Sequence, residues 1–156
     1  MDNRPIGVFD SGMGGLTAVR ELAALLPEGD APVLVVGLGN RDVTPDALGP
    51  RVVSNIEITR HMIREYGRAA LEGKRANEVS SLVPGVMAQT GMETLEIIRG
   101  IVEQTHPTAL VVVDALAARN TKRLNRTIQI SDAGIHPGSG VGNQRQALTK
   151  ETLGVP

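Results

Sequence analysis

The sequence predicts an α/β fold, with a mostly parallel β-sheet covered by helices. Three observations predict it. Short apolar, strand-like runs alternate along the chain with segments whose apolar residues recur at helical spacing. Two of the runs, "VLVVGL" and "ALVVVDAL", are continuously apolar, as strands are when helices cover both faces of a parallel sheet. A stretch rich in proline and glycine, "LLPEGDAP", breaks the chain between a helical segment and a strand-like run.

The elements follow in order. Residues 6–9 form a short apolar run that enters "DSGMGG", a glycine turn. Leu16, Val19, Leu22 and Leu26 then share one helical face. "LLPEGDAP" ends that helix, and residues 33–38 form the first buried strand. Val52, Ile56 and Ile63 space out a second helix, and "EYGRAALEGKRAN" is a polar connector. "EVSSLV" is a short strand, and Leu95, Ile98 and Val102 mark a third helix. Residues 109–116 form another buried strand, and "RTIQIS" alternates as a further strand near an edge. "HPGSGVGNQ" is a loop, and the chain ends in a helix.

The chain has 156 residues, enough for one α/β domain spanning residues 1–156. A domain of this size buries roughly 70% of the surface its unfolded chain exposes. The core must be aliphatic, because Phe9 and Tyr66 are the whole aromatic complement. A formal net charge of −1 with no basic block gives no reason to expect direct binding to nucleic acid or to an anionic membrane. No apolar run approaches the roughly 20 residues needed to span a bilayer, and no signal peptide is expected. The absence of cysteine removes disulfides, thiolate nucleophiles and cysteine-ligated metals, and fits a cytoplasmic protein. No cofactor is expected.

In parallel α/β folds ligands bind beyond the carboxyl ends of the strands. That rule selects residues 10–15, 39–50, 114–119 and 132–143. Each of these loops carries an aspartate: Asp10, Asp46, Asp114 and Asp132. Two carboxylates held close together can share a proton, so that one activates water while the other protonates a leaving group. Carboxylates with a histidine could instead hold a metal, and His136 is the histidine in such a loop. His61 lies mid-helix, and His106 sits at a helix end. Asp46, after Thr44 and Pro45, equally suits a helix cap. Asp114 could also be a cap, but it ends a strongly apolar strand, which favours partial burial and a functional role. "GSGVGN" reads as a turn or as an anion cradle. "GLGN" lacks the spacing of a dinucleotide fingerprint.

Two resemblances cover different parts of the chain. "RPIGVFDSGMGGLTAVRELAALLP", residues 4–27, resembles the opening of bacterial glutamate racemases. There the residues matching Asp10 and Ser11 line the amino-acid site. That family works with two cysteines, so racemase activity is not expected here. From residue 33 onward the chain resembles the spore germination protease family. The stretches that carry the likeness are "VLVVGLGNRDVTPDALGPRVV", "VPGVMAQTGMETLEII", "VVVDALAARNTKRLNRTIQISDAGIHPGSGVGN" and "KETLGVP".

The second resemblance implies an aspartic-type endopeptidase that degrades small acid-soluble spore proteins. It also implies synthesis as a self-processing zymogen, assembly as a homo-oligomer and a place in the spore core. Its essential aspartates correspond to Asp46 and Asp114. His136, Thr90, Gly91, Ser139 and Asn143 are the candidate substrate-binding or supporting residues. A more distant similarity to hydrogenase maturation proteases, through the "GxGN" strand end, gives the alternative of a metal-sensing protease using Asp46, Asp114 and His136. The family pattern has glycine where Ala88 stands and threonine where Ala133 stands. The chain is expected to be a chimera or a truncated form, with a racemase-like lead over residues 1–30 joined to residues 33–156 of germination-protease type. An inactive chimera or a scaffold that associates through sheet edges is the non-enzymatic alternative.

Overall fold

The computed structural model describes residues 6–7, 24, 26, 30–71, 77–117, 120–123, 128–138 and 145–156. Among the described residues four strands form one parallel sheet: β1 (Ile6–Gly7), β2 (Pro32–Gly37), β3 (Glu78–Leu82) and β4 (Ala109–Val113), in the spatial order β1-β4-β2-β3. β2 pairs with β4 from Val33↔Ala109 to Gly37↔Val113, and with β3 from Pro32↔Glu78 to Val36↔Leu82. β1 joins the outer edge of β4 at Ile6↔Val111 and Gly7↔Val112. The α/β expectation holds. β4 is buried along its whole length, which is why it reads as an uninterrupted apolar run.

The helices between these strands are α1 (Leu48–Val53), α2 (Arg60–Tyr66), α3 (Met87–Thr90), α4 (Thr94–Thr105) and, after β4, α5 (Lys150–Leu153). Alternation along β2 and β4 sorts their side chains onto two faces. Leu34, Val36, Leu110 and Val112 pack with Leu95, Ile98 and Val102 of α4. Val33, Val111 and Val113 face the other way, toward Leu48 and Val52 of α1 and toward Leu26. This sorting follows from the handedness of crossovers. From β2 to β3 the chain steps one way across the sheet, and from β3 to β4 it steps back past β2. Right-handed connections therefore put the intervening helices on opposite faces. On the α1 side an apolar cavity of about 230 Å³ remains, lined by Leu26, Val33, Val79 and Val111 among others.

Two expectations need correction. The single helix through Val52, Ile56 and Ile63 is two helices, with a break at 54–59. Ser54 Oγ donates to the Pro50 carbonyl at 2.9 Å and Asn55 Nδ2 to the Arg51 carbonyl at 2.7 Å, which closes the last turn of α1. Thr59, buried at 4% exposure, is drawn to the edge of β3. Its N–H donates to the Val79 carbonyl, its hydroxyl donates to the Asn77 carbonyl and accepts from the Val79 N–H. Those bonds take the Thr59 N–H away from the i−4 carbonyl that a continuous helix would use, and they cover the edge of β3 at Val79. The second correction concerns "RTIQIS": in its described part, residues 128–131, Ser131 makes a β-bridge, but none of these residues belongs to the sheet's strands. The antiparallel contact near it is an isolated bridge between Ile135 and Leu148. The lead helix expected at residues 16–26 lies outside the described residues except at positions 24 and 26. No helix among the described residues is long and apolar enough to cross a membrane.

Candidate active site

The site forms where β2 and β4, the two central strands, end side by side. Their ladder continues past the strands, with the Leu38 N–H donating to the Val113 carbonyl at 2.8 Å. Beyond this rung each chain turns away, one into "GNRDVTPD" and the other into Asp114. The first turn folds back because the start of α1 lies directly on the strand ends. A Cβ on Gly49 would stand 2.3 Å from the Leu38 carbonyl oxygen and 2.6 Å from that of Val113. Real side chains cannot occupy that space, so only glycine lets the helix approach so closely.

Asp46 sits in the short 3₁₀ turn Thr44–Asp46 just before α1, with Pro45 helping to set that turn. Its neighbour is the loop residue Gly39, whose φ of +113° is unfavourable for any side chain, and whose Cβ would meet the Asp46 backbone oxygen at 2.0 Å. This close passage brings the next N–H, that of Asn40, onto Asp46 Oδ2 at 2.7 Å.

Asp114 follows β4 directly and is partly buried. Its Oδ1 accepts the N–H of Ala115 at 2.8 Å. Burial pushes its carboxyl up from the ordinary 3.8 to about 6; the Ala115 hydrogen bond pulls the other way, and the charge of Asp46 adds to the rise. The two aspartates chosen from strand-end logic are thus electrostatic neighbours. One holds its proton into the near-neutral range, and the other presents a carboxylate oriented by a backbone donor. Such a pair can deliver a proton and accept one in the same cleft.

The other candidates fall in different places. Thr90 and Gly91 end α3, the segment after β3. The Thr90 hydroxyl is engaged locally, donating to the Val86 and Met92 carbonyls at 3.3 Å and accepting from the Met92 N–H at 3.2 Å. Gly91 takes the left-handed position that stops the helix, with φ +72°. Gln89, one residue before Thr90, reaches Asn40 Oδ1 at 3.4 Å and ties this segment to the Asp46 loop. His136 follows the Ile135–Leu148 bridge. Among the described residues no group of three or more His, Asp or Glu side chains is gathered to hold a metal, so Asp46, Asp114 and His136 do not form one. Asp10, Ser11, Ser139 and Asn143 lie outside the described residues.

Two participants were not selected from the sequence, Asn40 and Gln89. A backbone donor leaves no side-chain signature. The readable signal was the glycine directly before Asn40, which both its φ of +113° and its approach to Asp46 require.

Comparison with known proteins bears on the same residues. The family model described as germination protease matches residues 19–156, which takes in β2, β3, β4 and both aspartates. The chain belongs to the germination protease family. It is 59% identical over 127 residues to the germination protease of Geobacillus sp. (strain WCH70), covering 81% of this chain and 34% of that protein. It is 56% identical over 135 residues to the germination protease of Bacillus velezensis, covering 86% and 36%. For that of Bacillus subtilis the figures are 57% over 127 residues, 81% and 34%. The chain therefore spans about a third of the length of the curated relatives it matches. The germination protease match begins at residue 19, inside the stretch that resembles racemases, and takes residues 19–27 into the family.

Proposed function

We propose that this chain carries the catalytic centre of an endopeptidase of germination-protease type, which hydrolyses peptide bonds of small acid-soluble spore proteins through Asp46 and Asp114. The observation that supports this most is the raised carboxyl of Asp114 beside Asp46, at the ends of the two central strands. Asp114, which retains its proton to about pH 6, is the acid that protonates the leaving amine. Asp46, held by the Asn40 N–H, is the base that takes a proton from the attacking water. Residues 84–91 would flank the extended substrate. His136, Thr90, Gly91, Ser139 and Asn143 are supporting groups in this reading. No cofactor enters it, and it assumes a single α/β domain that acts in the spore core as a homo-oligomer.

In the same reading the lead at residues 4–27 serves as sheet and cover rather than as a racemase site. β1 extends the sheet beside β4, Leu26 packs on the α1 face, and the chain has no cysteine for racemase chemistry. A joined origin for this lead rests on its racemase-like motif alone.

The test is cleavage of a purified small acid-soluble spore protein by the wild type, Asp46→Asn and Asp114→Asn. Wild-type cleavage that falls at least a hundredfold in both variants supports the proposal. Equal cleavage by all three ends it, and a folded wild type that cleaves nothing favours the inactive or scaffold alternative.

A further inference from the structure

The loop from Asn40 to Asp46 is closed on itself by hydrogen bonds that begin and end at these two residues. The Val43 N–H donates to the Asn40 carbonyl at 3.2 Å, and the Asp46 N–H donates to the Val43 carbonyl at 2.8 Å. The Asn40 N–H donates to Asp46 Oδ2 at 2.7 Å. The fourth bond also ends on a side chain: Asn40 Oδ1 accepts the Asp42 N–H at 3.0 Å. The same oxygen takes the 3.4 Å contact from Gln89 Nε2, on α3 beyond the neighbouring strand β3.

Besides the Asp46 carboxylate itself, the side-chain oxygen of Asn40 is therefore the link of this ring that a substitution can remove while every backbone group stays. Without it, the turn at 40–42 loses its anchor, and the direction of the Asn40 N–H is no longer fixed. A carboxylate must be held within about half an ångström of its working position for proton transfer, and a charge-assisted bond from a backbone N–H supplies that hold only if the donor is itself fixed.

We propose that Asn40 is the positioning residue of this site. Its amide oxygen locks the 40–46 loop so that its own N–H aims the Asp46 carboxylate, and Gln89 clasps that lock to the segment at 83–91. Asn40 acts through Asp46 and touches no reacting atom. The inference rests on the aspartate-pair reading given above for its kinetic consequence, but its geometric content stands apart from it.

The experiment combines proton NMR with kinetics on the full chain. In the wild type the bond to the Asp46 side chain moves the amide proton of residue 40 downfield, and Asp46→Asn abolishes that movement. Asn40→Ala cuts the movement to less than half and lowers kcat roughly tenfold with KM within about twofold, the signature of a misplaced group rather than of lost substrate binding. Asn40→Asp, which keeps an acceptor in the same place, restores the movement. A full-sized movement in Asn40→Ala, or a loss in Asn40→Asp as deep as in Asn40→Ala, overturns the proposal. So does wild-type kcat in Asn40→Ala when Asp46→Asn is inactive. If instead Asp46→Asn cleaves like the wild type while Asn40→Ala still loses the amide movement, the aspartate-pair reading fails and the positioning role of Asn40 stands.

Discussion

Gly37 and Gly49 meet backbone to backbone: a Cβ on Gly37 would lie 2.3 Å from the carbonyl oxygen of Gly49. This contact seats the first turn of α1 on the end of β2. The seat determines where Asp46, three residues before Gly49, stands relative to Asp114. Fold and site depend here on the same pair of missing side chains.

Alanine at either position forces the helix off the sheet, because the clash is with backbone rather than with a flexible side-chain tip. Gly37→Ala and Gly49→Ala are expected to cost on the order of 3 kcal/mol in urea unfolding. Gly100, in the exposed middle of α4, is the contrast: a Cβ there meets nothing within 4 Å. Gly100→Ala should stabilise by about 0.5–1 kcal/mol through helix propensity.

Thr59→Val tests the closure of the sheet edge. The substitution keeps the shape but removes the hydroxyl that donates to Asn77 and accepts from Val79. Leaving those two backbone groups without their partner should cost about 1–3 kcal/mol. Because β3 is an edge strand among the described residues, the variant should also self-associate more at high concentration, as seen by light scattering. An unchanged melt with unchanged scattering would mean that Thr59 does not guard this edge.

Asp114 should make stability depend on pH in a particular direction. Its folded value, about 6, lies above the ordinary 3.8, so between these values the folded state binds more protons than the unfolded state. Its contribution is therefore most favourable below 3.8 and is lost as pH rises through about 6. A shift of this size corresponds to roughly 3 kcal/mol, and the partial exposure of the group reduces that to roughly 2 kcal/mol. Asp114→Asn removes the cost of burying a charge. It should raise Tm by roughly 5 °C at pH 8 and change it little at pH 4.

Much of this was legible in the sequence, for identifiable reasons. β2 and β4 are central, so both of their faces demand apolar residues, and "VLVVG" and "ALVVV" could hardly be anything else. In α4, Leu95, Ile98 and Val102 face the sheet as their spacing predicts. Strand-end reasoning also picked out Asp46 and Asp114. What it could not supply was adjacency. That comes from the strand order, which places β4 beside β2 although about 70 residues separate them, and local pattern does not encode such pairing. The break at 54–59 was missed because Ile56 keeps the helical spacing. The competing bonds come from Ser54, Asn55 and Thr59, and that of Thr59 is made to a strand twenty residues ahead. "RTIQIS" alternates as a strand does, yet alternation alone does not secure a neighbour in the sheet.

The central claim is that Asp46 and Asp114 form one coupled pair, and the titration of their carboxyl carbons by ¹³C NMR tests it most directly. In the wild type, Asp114 should titrate near 6. In Asp46→Asn it should fall toward 3.8 while staying above it, because burial is the larger cause and remains. An Asp114 that titrates at its ordinary 3.8 in the wild type, or that does not move when Asp46 is replaced, would contradict the account.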